Sequence, residues 1–286
     1  MMNRSISLIA LLTIACGDKE TGSGNGTDDT STSSDNDSGS TDDTNSPGFD
    51  TNDPPPDPDA EQDNLESRAG DYGYDLLRDA PFDSLIIEVD WVTGNEPDSS
   101  AMEAVVSAVE DLCNKPGGVQ VVYDDELPPQ GAPTWTYEAA QETELAWRDY
   151  YRDEEAGVAV IYYLYLDGDS EYDTANGRVL GYAYHGSSLI MFKETIDSAG
   201  AGLPLAGKLE DTVAVHELGH LLGLVDNGIE MVEDHKDPDH GDHDVRDDCI
   251  MYWAAETDSA VDLLLGGPLD FGAECRADVA AAGGRG

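Results

Sequence analysis

Two histidines and one glutamate within residues 209–224 (LEDTVAVHELGHLLGL) have the spacing of a metal site on a helix. His216 and His220 are four positions apart, so on a helix they project from one face and can bind one Zn²⁺ ion through their imidazoles. Glu217 would then face a water molecule at the fourth position of the metal. Zinc lowers the pKa of such a water to about 7, and Glu217 as general base can take its proton, which yields a nucleophile for a peptide carbonyl. The alternative is a chance HExxH on an ordinary helix.

Two features outside the HExxH strengthen the zinc interpretation. Gly223 follows His220 by three residues, where a glycine lets the chain leave the helix in a left-handed turn. Downstream, the run Cys249, Ile250, Met251, Tyr252 resembles the Met-turn of metzincin proteases, and HExxHxxG followed by a Met-turn is the metzincin signature. This resemblance covers about 45 residues at the level of motifs. It implies a metzincin-like fold, one catalytic zinc ion, hydrolysis of peptide bonds, and a supporting role for Met251 beneath the metal.

The third zinc ligand has two competing positions. The commonest metzincin pattern, HExxHxxGxxH, places it at Asp226, and an aspartate there resembles the snapalysin variant. Counted backward from the Met-turn, His243, Cys249 and Met251 resemble the archaemetzincin run H-C-x4-C-x-M, with Asp244 in place of the first cysteine. The two counts place the third ligand 17 residues apart, which indicates an insertion between Gly223 and this ligand. We favour His243, because it completes a three-histidine site and its spacing to Met251 fits, and we keep Asp226 as the alternative.

The insertion itself, residues 233–244 (EDHKDPDHGDHD), contains two more histidines. His235 and His240 are weaker alternatives for the third ligand, and the segment is otherwise either a solvated acidic loop or a second metal or calcium site. A further acidic stretch, residues 167–173 (DGDSEYD), is also a possible calcium loop, although a solvated turn is the favoured interpretation.

The cysteines indicate an exported protein. Residues 1–16 combine a positive charge, an apolar run and a small residue before Cys16, which is typical of a secretion signal too short to span a bilayer. The end of this segment resembles the lipobox of bacterial lipoproteins, although Thr13 stands where leucine is usual, and this implies acylation of Cys16. Ordinary secretion is the alternative. An oxidising compartment makes Cys249 and Cys275 candidates for a disulfide, and Cys113 is predicted to be a buried thiol on a helix.

Composition excludes several classes of partner. The 286 residues include 61 Asp and Glu against 14 Lys and Arg, a formal net charge of −47. Such a chain cannot bind nucleic acid by neutralising phosphates, and it meets anionic membranes only through the predicted N-terminal lipid. Residues 17–65, rich in Gly, Ser, Thr and acidic side chains, are predicted to be a disordered tether, which leaves 66–286 as a catalytic domain.

Hydrophobic patterns within 66–286 predict an α+β fold with a mixed, twisted sheet and an α/β-like N-terminal part. The metzincin resemblance implies a C-terminal subdomain after the Met-turn. The predicted strands are 84–92, 119–123, 158–166, 180–184 and 189–192, and the predicted helices are 99–112, 137–151 and 209–224. The strand at 179–184 resembles the metzincin edge strand in its position, and this resemblance implies that an extended peptide would bind along it as an added strand.

Together these patterns predict a lipid-anchored, extracytoplasmic zinc metallopeptidase of the bacterial cell envelope, monomeric and acting on peptides or proteins. The main alternative is a catalytically inactive, metzincin-like surface lipoprotein that binds metal or a partner.

Overall fold

The computed structural model describes residues 58–175, 177–201 and 206–286. In chain order the first elements are α1 (Pro58–Glu66), α2 (Gly73–Leu77), β1 (Ser84–Val92), α3 (Ser99–Leu112), β2 (Gly118–Leu127), β3 (Thr134–Trp135), α4 (Tyr137–Trp147) and β4 (Val158–Leu166). They are followed by β5 (Asp169–Ser170), β6 (Gly181–Tyr184), β7 (Ser188–Phe192), α5 (Lys193–Gly200), α6 (Ala206–Leu221), a 3₁₀ helix (Trp253–Glu256), α7 (Ala260–Leu264) and α8 (Ala273–Ala282).

Five strands form the main sheet, in the order β2-β1-β4-β7-β6. The first four are parallel to one another, and β6 pairs antiparallel with β7 at the edge. The prediction of a mixed sheet bordered by this strand is therefore confirmed. β3 and β5 form a separate two-stranded pair that the sequence patterns did not reveal.

The central strand β4 explains why the sheet needs cover on both faces. All nine of its residues (VAVIYYLYL) are buried, and its side chains alternate between the two faces of the sheet, where they join separate hydrophobic clusters. Ile161, Tyr163 and Tyr165 face the larger cluster, to which α3 and α6 contribute, whereas Tyr162 and Leu164 face the cluster that includes Ala140 of α4. Helix α6 therefore packs on one face of the sheet, with β6 and β7 among its neighbours.

Helix α6 was predicted to span 209–224, but it begins at Ala206 and ends at Leu221. Gly223 has a φ of +76°, and its N–H donates to the carbonyl of His220 at 3.1 Å. The left-handed turn predicted at Gly223 is thus confirmed. It stops the helix one residue after His220.

The N-terminal boundary of the folded part also needs correction. Residues 1–57, with the predicted signal, Cys16 and most of the predicted tether, lie outside the described residues. Within the described part, however, α1 begins at Pro58, inside the range 17–65 assigned to the tether. Asn64 of α1 is buried, and its amide donates to Glu144 and Ser188, both at 3.2 Å. These hydrogen bonds hold an otherwise acidic, exposed segment against α4 and β7.

Helix α4 ends at Trp147, four residues before the predicted end. Arg148 leaves the helix with an extended backbone, and its buried guanidinium donates to Glu144 at 2.7 Å and to Ser187 at 2.9 Å. The ion pair therefore holds Arg148 at the end of the helix, where the apolar pattern alone indicated continuation. Among the residues that the structure describes, no helix has the length and apolar character needed to cross a membrane.

Candidate metal centre

Three histidines converge from two parts of the chain. His216 and His220 lie on α6 with their Nε2 atoms 3.1 Å apart, and His243 reaches them from the segment 233–244. One ligand atom from each of these three and one from Glu256 all lie within 4.8 Å of one another. The three histidines are buried, at 0%, 8% and 8% exposure in sequence order, so water does not readily solvate their ring nitrogens.

Backbone carbonyls orient two of the imidazoles. Nδ1 of His216 lies 2.6 Å from the carbonyl oxygen of Ile250, and Nδ1 of His243 lies 2.6 Å from that of His240. A carbonyl can only accept, so in both rings Nδ1 carries a hydrogen, and the neutral form of each ring then has its lone pair on Nε2. Such outer hydrogen bonds fix the tautomer of metal-ligating histidines. Both Nε2 atoms point into the cluster.

The cluster contains buried polar atoms that a metal ion would satisfy. Nε2 of His243 has no hydrogen-bond partner among the described residues, and the two Nε2 atoms on α6 face each other at 3.1 Å. Tetrahedral Zn²⁺ bound through nitrogen at about 2.0 Å would separate its ligand atoms by about 3.3 Å. Because both the donor type and the spacing match, the residues fit a zinc ion.

Glu217 lies next to this cluster and is fully buried. Neither of its carboxylate oxygens has a hydrogen-bond partner among the described residues, although the nearby backbone N–H of Ala183 on β6 lowers its pKa somewhat. Burial, together with repulsion from the carboxylate of Glu256, nevertheless holds the pKa of Glu217 well above its ordinary value. Burial also holds the pKa of His220 well below its ordinary value, which keeps that imidazole neutral. Metal binding requires such a neutral ring.

Met251 packs directly beneath α6. It is fully buried, and a methyl group added at Gly219 would lie 2.2 Å from its sulfur and 3.1 Å from the ring of Phe271. Gly219 lies between the two α6 histidines in the sequence. The close approach of Met251 therefore requires a residue without a side chain there, and it fixes the chain near Ile250, whose carbonyl orients His216.

The other positions considered for the third ligand lie elsewhere. The side chain of Asp226 is 62% exposed, and its carboxylate lies 3.9 Å from Nζ of Lys236. The backbone of Asp226 has a φ of +61°. His240 stacks on Trp253 with ring centroids 4.5 Å apart and pairs with Asp237. His235 belongs to a different cluster. The structure thus brings His243, and neither Asp226, His235 nor His240, to the α6 histidines.

His235 connects the insertion to the C-terminal helix. Its Nδ1 lies 2.8 Å from a carboxylate oxygen of Asp244, and its Nε2 lies 2.9 Å from one of Asp278 on α8. The hydrogen bond to Asp244, opposed by burial and supported by Asp278, raises the pKa of His235 to about 9. The imidazolium therefore donates to two carboxylates and holds Asp244, the neighbour of His243, against α8.

The cysteines next to this cluster are not bonded to each other. Cys249 and Cys275 are free and buried, with sulfur atoms 3.7 Å apart, whereas a disulfide requires about 2.05 Å. The predicted disulfide is therefore absent from this structure. The sulfur of Cys249 instead accepts hydrogen bonds from the N–H groups of Met251 at 3.4 Å and Gly272 at 3.3 Å. Cys113 is a buried thiol at the end of α3, as predicted.

The acidic stretch 167–173 directs its carboxylates to protein donors. Asp167 accepts from the N–H of Ala132, and Asp173 accepts from the N–H of Val179, both at 2.9 Å. Asp169 pairs with Arg178. None of these carboxylates belongs to a group of three or more converging ligand atoms within the described part of the chain.

Glu256 is the member of the metal cluster that the sequence patterns missed. It ends the 3₁₀ helix that follows Met251, and no motif marks it. Its place in the sequence, five positions after Met251, would have been the only available indication.

Comparisons with known proteins give similar structures only at low identity. No protein-family model matches the chain, and no curated protein matches it. Archaemetzincin from Methanopyrus kandleri is 16% identical, with a TM-score of 0.47, and the match covers 70% of this chain and 96% of that one. A zinc-dependent peptidase from Methanocorpusculum labreanum is 17% identical, with a TM-score of 0.43 and coverage of 68% and 99%. Metalloproteinase-II from Bacteroides fragilis is 16% identical, with a TM-score of 0.37 and coverage of 72% and 54%. The function is therefore inferred from the residues of the site.

Proposed function

We propose that this protein is a zinc-dependent metallopeptidase of metzincin type, with His216, His220 and His243 as metal ligands and Glu217 as general base. One observation carries the proposal. Three imidazole rings converge on one point, and beside them lies a buried carboxylate whose oxygens have no hydrogen-bond partner among the described residues.

The roles of the residues follow from their surroundings. A zinc ion held by the three histidines would supply Lewis acidity, which acidifies water and polarises a carbonyl group. Glu217 accepts the proton of the attacking water and then donates it to the leaving amine nitrogen. Its elevated pKa suits this transfer, because a carboxylate deprived of solvent is a stronger base.

The edge strand β6 supports a peptide as substrate. It pairs with β7 on one side, and its other edge is the end of the main sheet. The N–H of Ala183 lies close enough to Glu217 to lower its pKa, so this edge runs past the general base. An extended peptide added along β6 would bring its backbone carbonyls to the metal centre.

The remaining expectations are part of the same proposal. Met251 serves as the Met-turn residue beneath the metal. The chain is exported and held at the bacterial envelope by a lipid on Cys16, and it acts as a monomer. Substrate proteins are therefore expected outside the cytoplasm. A metal-binding lipoprotein without hydrolytic activity is the alternative.

The test compares zinc-loaded wild type with Glu217→Gln on a quenched fluorescent peptide or unfolded casein. We expect Glu217→Gln to lose at least about 100-fold in rate, because it cannot carry the proton, and to retain one zinc ion per chain. Glu233→Gln, which removes one exposed carboxylate, is the matched control and should keep the wild-type rate. Equal rates for wild type and Glu217→Gln would contradict the proposal.

A further inference from the structure

A second carboxylate enters the metal cluster directly. Oε2 of Glu256 lies 3.5 Å from Nε2 of His243, 3.8 Å from that of His216 and 4.0 Å from that of His220. Glu217, in contrast, forms no ion pair with these histidines among the described residues. The two glutamates therefore occupy different places, one beside the cluster and one at its open corner.

The distances place this oxygen at the fourth corner of a tetrahedron. Zn–N and Zn–O bonds of about 2.0 Å give ligand-to-ligand edges of about 3.3 Å. The edge between the α6 histidines is 3.1 Å, and the three edges to Glu256 are 3.5–4.0 Å. The edges to Glu256 are longer than this ideal value, and a shift of about half an ångström would bring Oε2 within bonding distance of a metal ion at the centre.

The backbone holds Glu256 in this place and ties it to the edge strand. Its carbonyl accepts from the N–H of Leu180 at 2.9 Å, and the next residue, Thr257, forms an antiparallel bridge with Val179. Both partners immediately precede β6. Glu256 and Thr257 thus pair with the residues just before β6, the strand along which a substrate would add. From this position Glu256 presents its carboxylate to the metal cluster.

We propose that Glu256 is a fourth metal ligand that closes the site in its resting state. This inference rests on the proposed function and concerns its regulation. With a metal ion bound, hydrolysis would require this carboxylate to move away, so that a water molecule or the substrate carbonyl could reach the ion. The side chain is 30% exposed, so it can move toward solvent without passing through the core.

The test measures metal affinity and ligand access in Glu256→Gln. The amide keeps the size of the side chain and the backbone hydrogen bond to Leu180, but it is a weak zinc ligand. We expect the Kd for zinc, measured against a competing chromophoric chelator, to rise at least about tenfold. In the cobalt-loaded protein, acetohydroxamate should bind at least about tenfold more tightly than in wild type, because no carboxylate competes for the metal. The visible absorption of cobalt reports this binding.

The control variant is again Glu233→Gln, which changes the net charge by the same amount. If either the zinc affinity or the hydroxamate affinity of Glu256→Gln equals that of Glu233→Gln, the inference is wrong. His216→Ala separates this failure from that of the proposed function. Full zinc affinity in His216→Ala would overturn the metal site itself. If His216→Ala loses zinc but Glu256→Gln behaves like Glu233→Gln, only the role of Glu256 is overturned.

Discussion

The ion-paired histidine of the insertion predicts a specific dependence of stability on pH. His235 is 3% exposed in its side chain, and both of its ring nitrogens face carboxylate oxygens, of Asp244 and Asp278. Both hydrogen bonds need the doubly protonated ring. The pKa of about 9 in the folded protein compares with about 6.5 for an unfolded histidine. A difference of about 2.5 units corresponds to about 3 kcal/mol of stability.

The folded state binds the proton more tightly, so this contribution has a definite direction. It is fully present below about pH 6.5 and is lost progressively as the pH rises to about 9. The measurement is urea unfolding of wild type and of His235→Gln in the presence of a chelator. Between pH 6.5 and 9, we expect the free energy of unfolding to fall by about 3 kcal/mol more in wild type than in the variant.

The same variant should weaken zinc binding, because His235 holds the chain next to His243. We expect the Kd for zinc to rise by about 10- to 100-fold at pH 7, measured by competition with a chelator. Identical pH slopes for wild type and His235→Gln would refute the reasoning about the imidazolium. An unchanged zinc affinity would refute its role in positioning His243.

Two further predictions concern the scaffold around the site. Arg148→Met should lose about 3–5 kcal/mol in urea unfolding, because it leaves the buried Glu144 without its cation, whereas Arg152→Met, whose side chain is 30% exposed, should lose no more than about 1 kcal/mol. A loss below 1 kcal/mol for Arg148→Met would contradict the buried ion pair. Gly223→Ala should lose about 1–2 kcal/mol in thermal unfolding, since it forces a side chain into a left-handed turn 3.0 Å from the amide nitrogen of Ile229. Gly207→Ala on the same helix, where an added methyl group meets no atom of the described residues within 4 Å, should be neutral or stabilising. Equal losses at both glycines would argue against the strained turn.

Local patterns in the sequence predicted the elements that position the site. The apolar run of β4 and the helical spacing around His216 and His220 depend on neighbours within a few residues, and both match the structure. The left-handed turn at Gly223 was also predictable from local sequence, because it depends on one residue and its neighbours in the chain. These predictions needed no knowledge of the path of the chain.

The unpredicted features depend on contacts between distant parts of the chain. Counting residues allowed either Asp226 or His243 to reach the metal, and only the fold of the insertion, fastened through His235 to α8, brings His243 there. Glu256 enters the cluster because its backbone pairs with the chain before β6. The burial of Asn64 within an acidic tract has the same origin, since its partners lie on α4 and β7.

Metal stoichiometry of the purified protein tests the central claim most directly. Zinc is measured by elemental analysis in wild type, His216→Ala, His243→Ala and Asp226→Ala, all washed in the same weak chelator. The structure predicts one zinc ion per chain in wild type and in Asp226→Ala, and loss of that ion in both histidine variants. A folded wild type without zinc, or a His243→Ala variant that retains it, would contradict the three-histidine site.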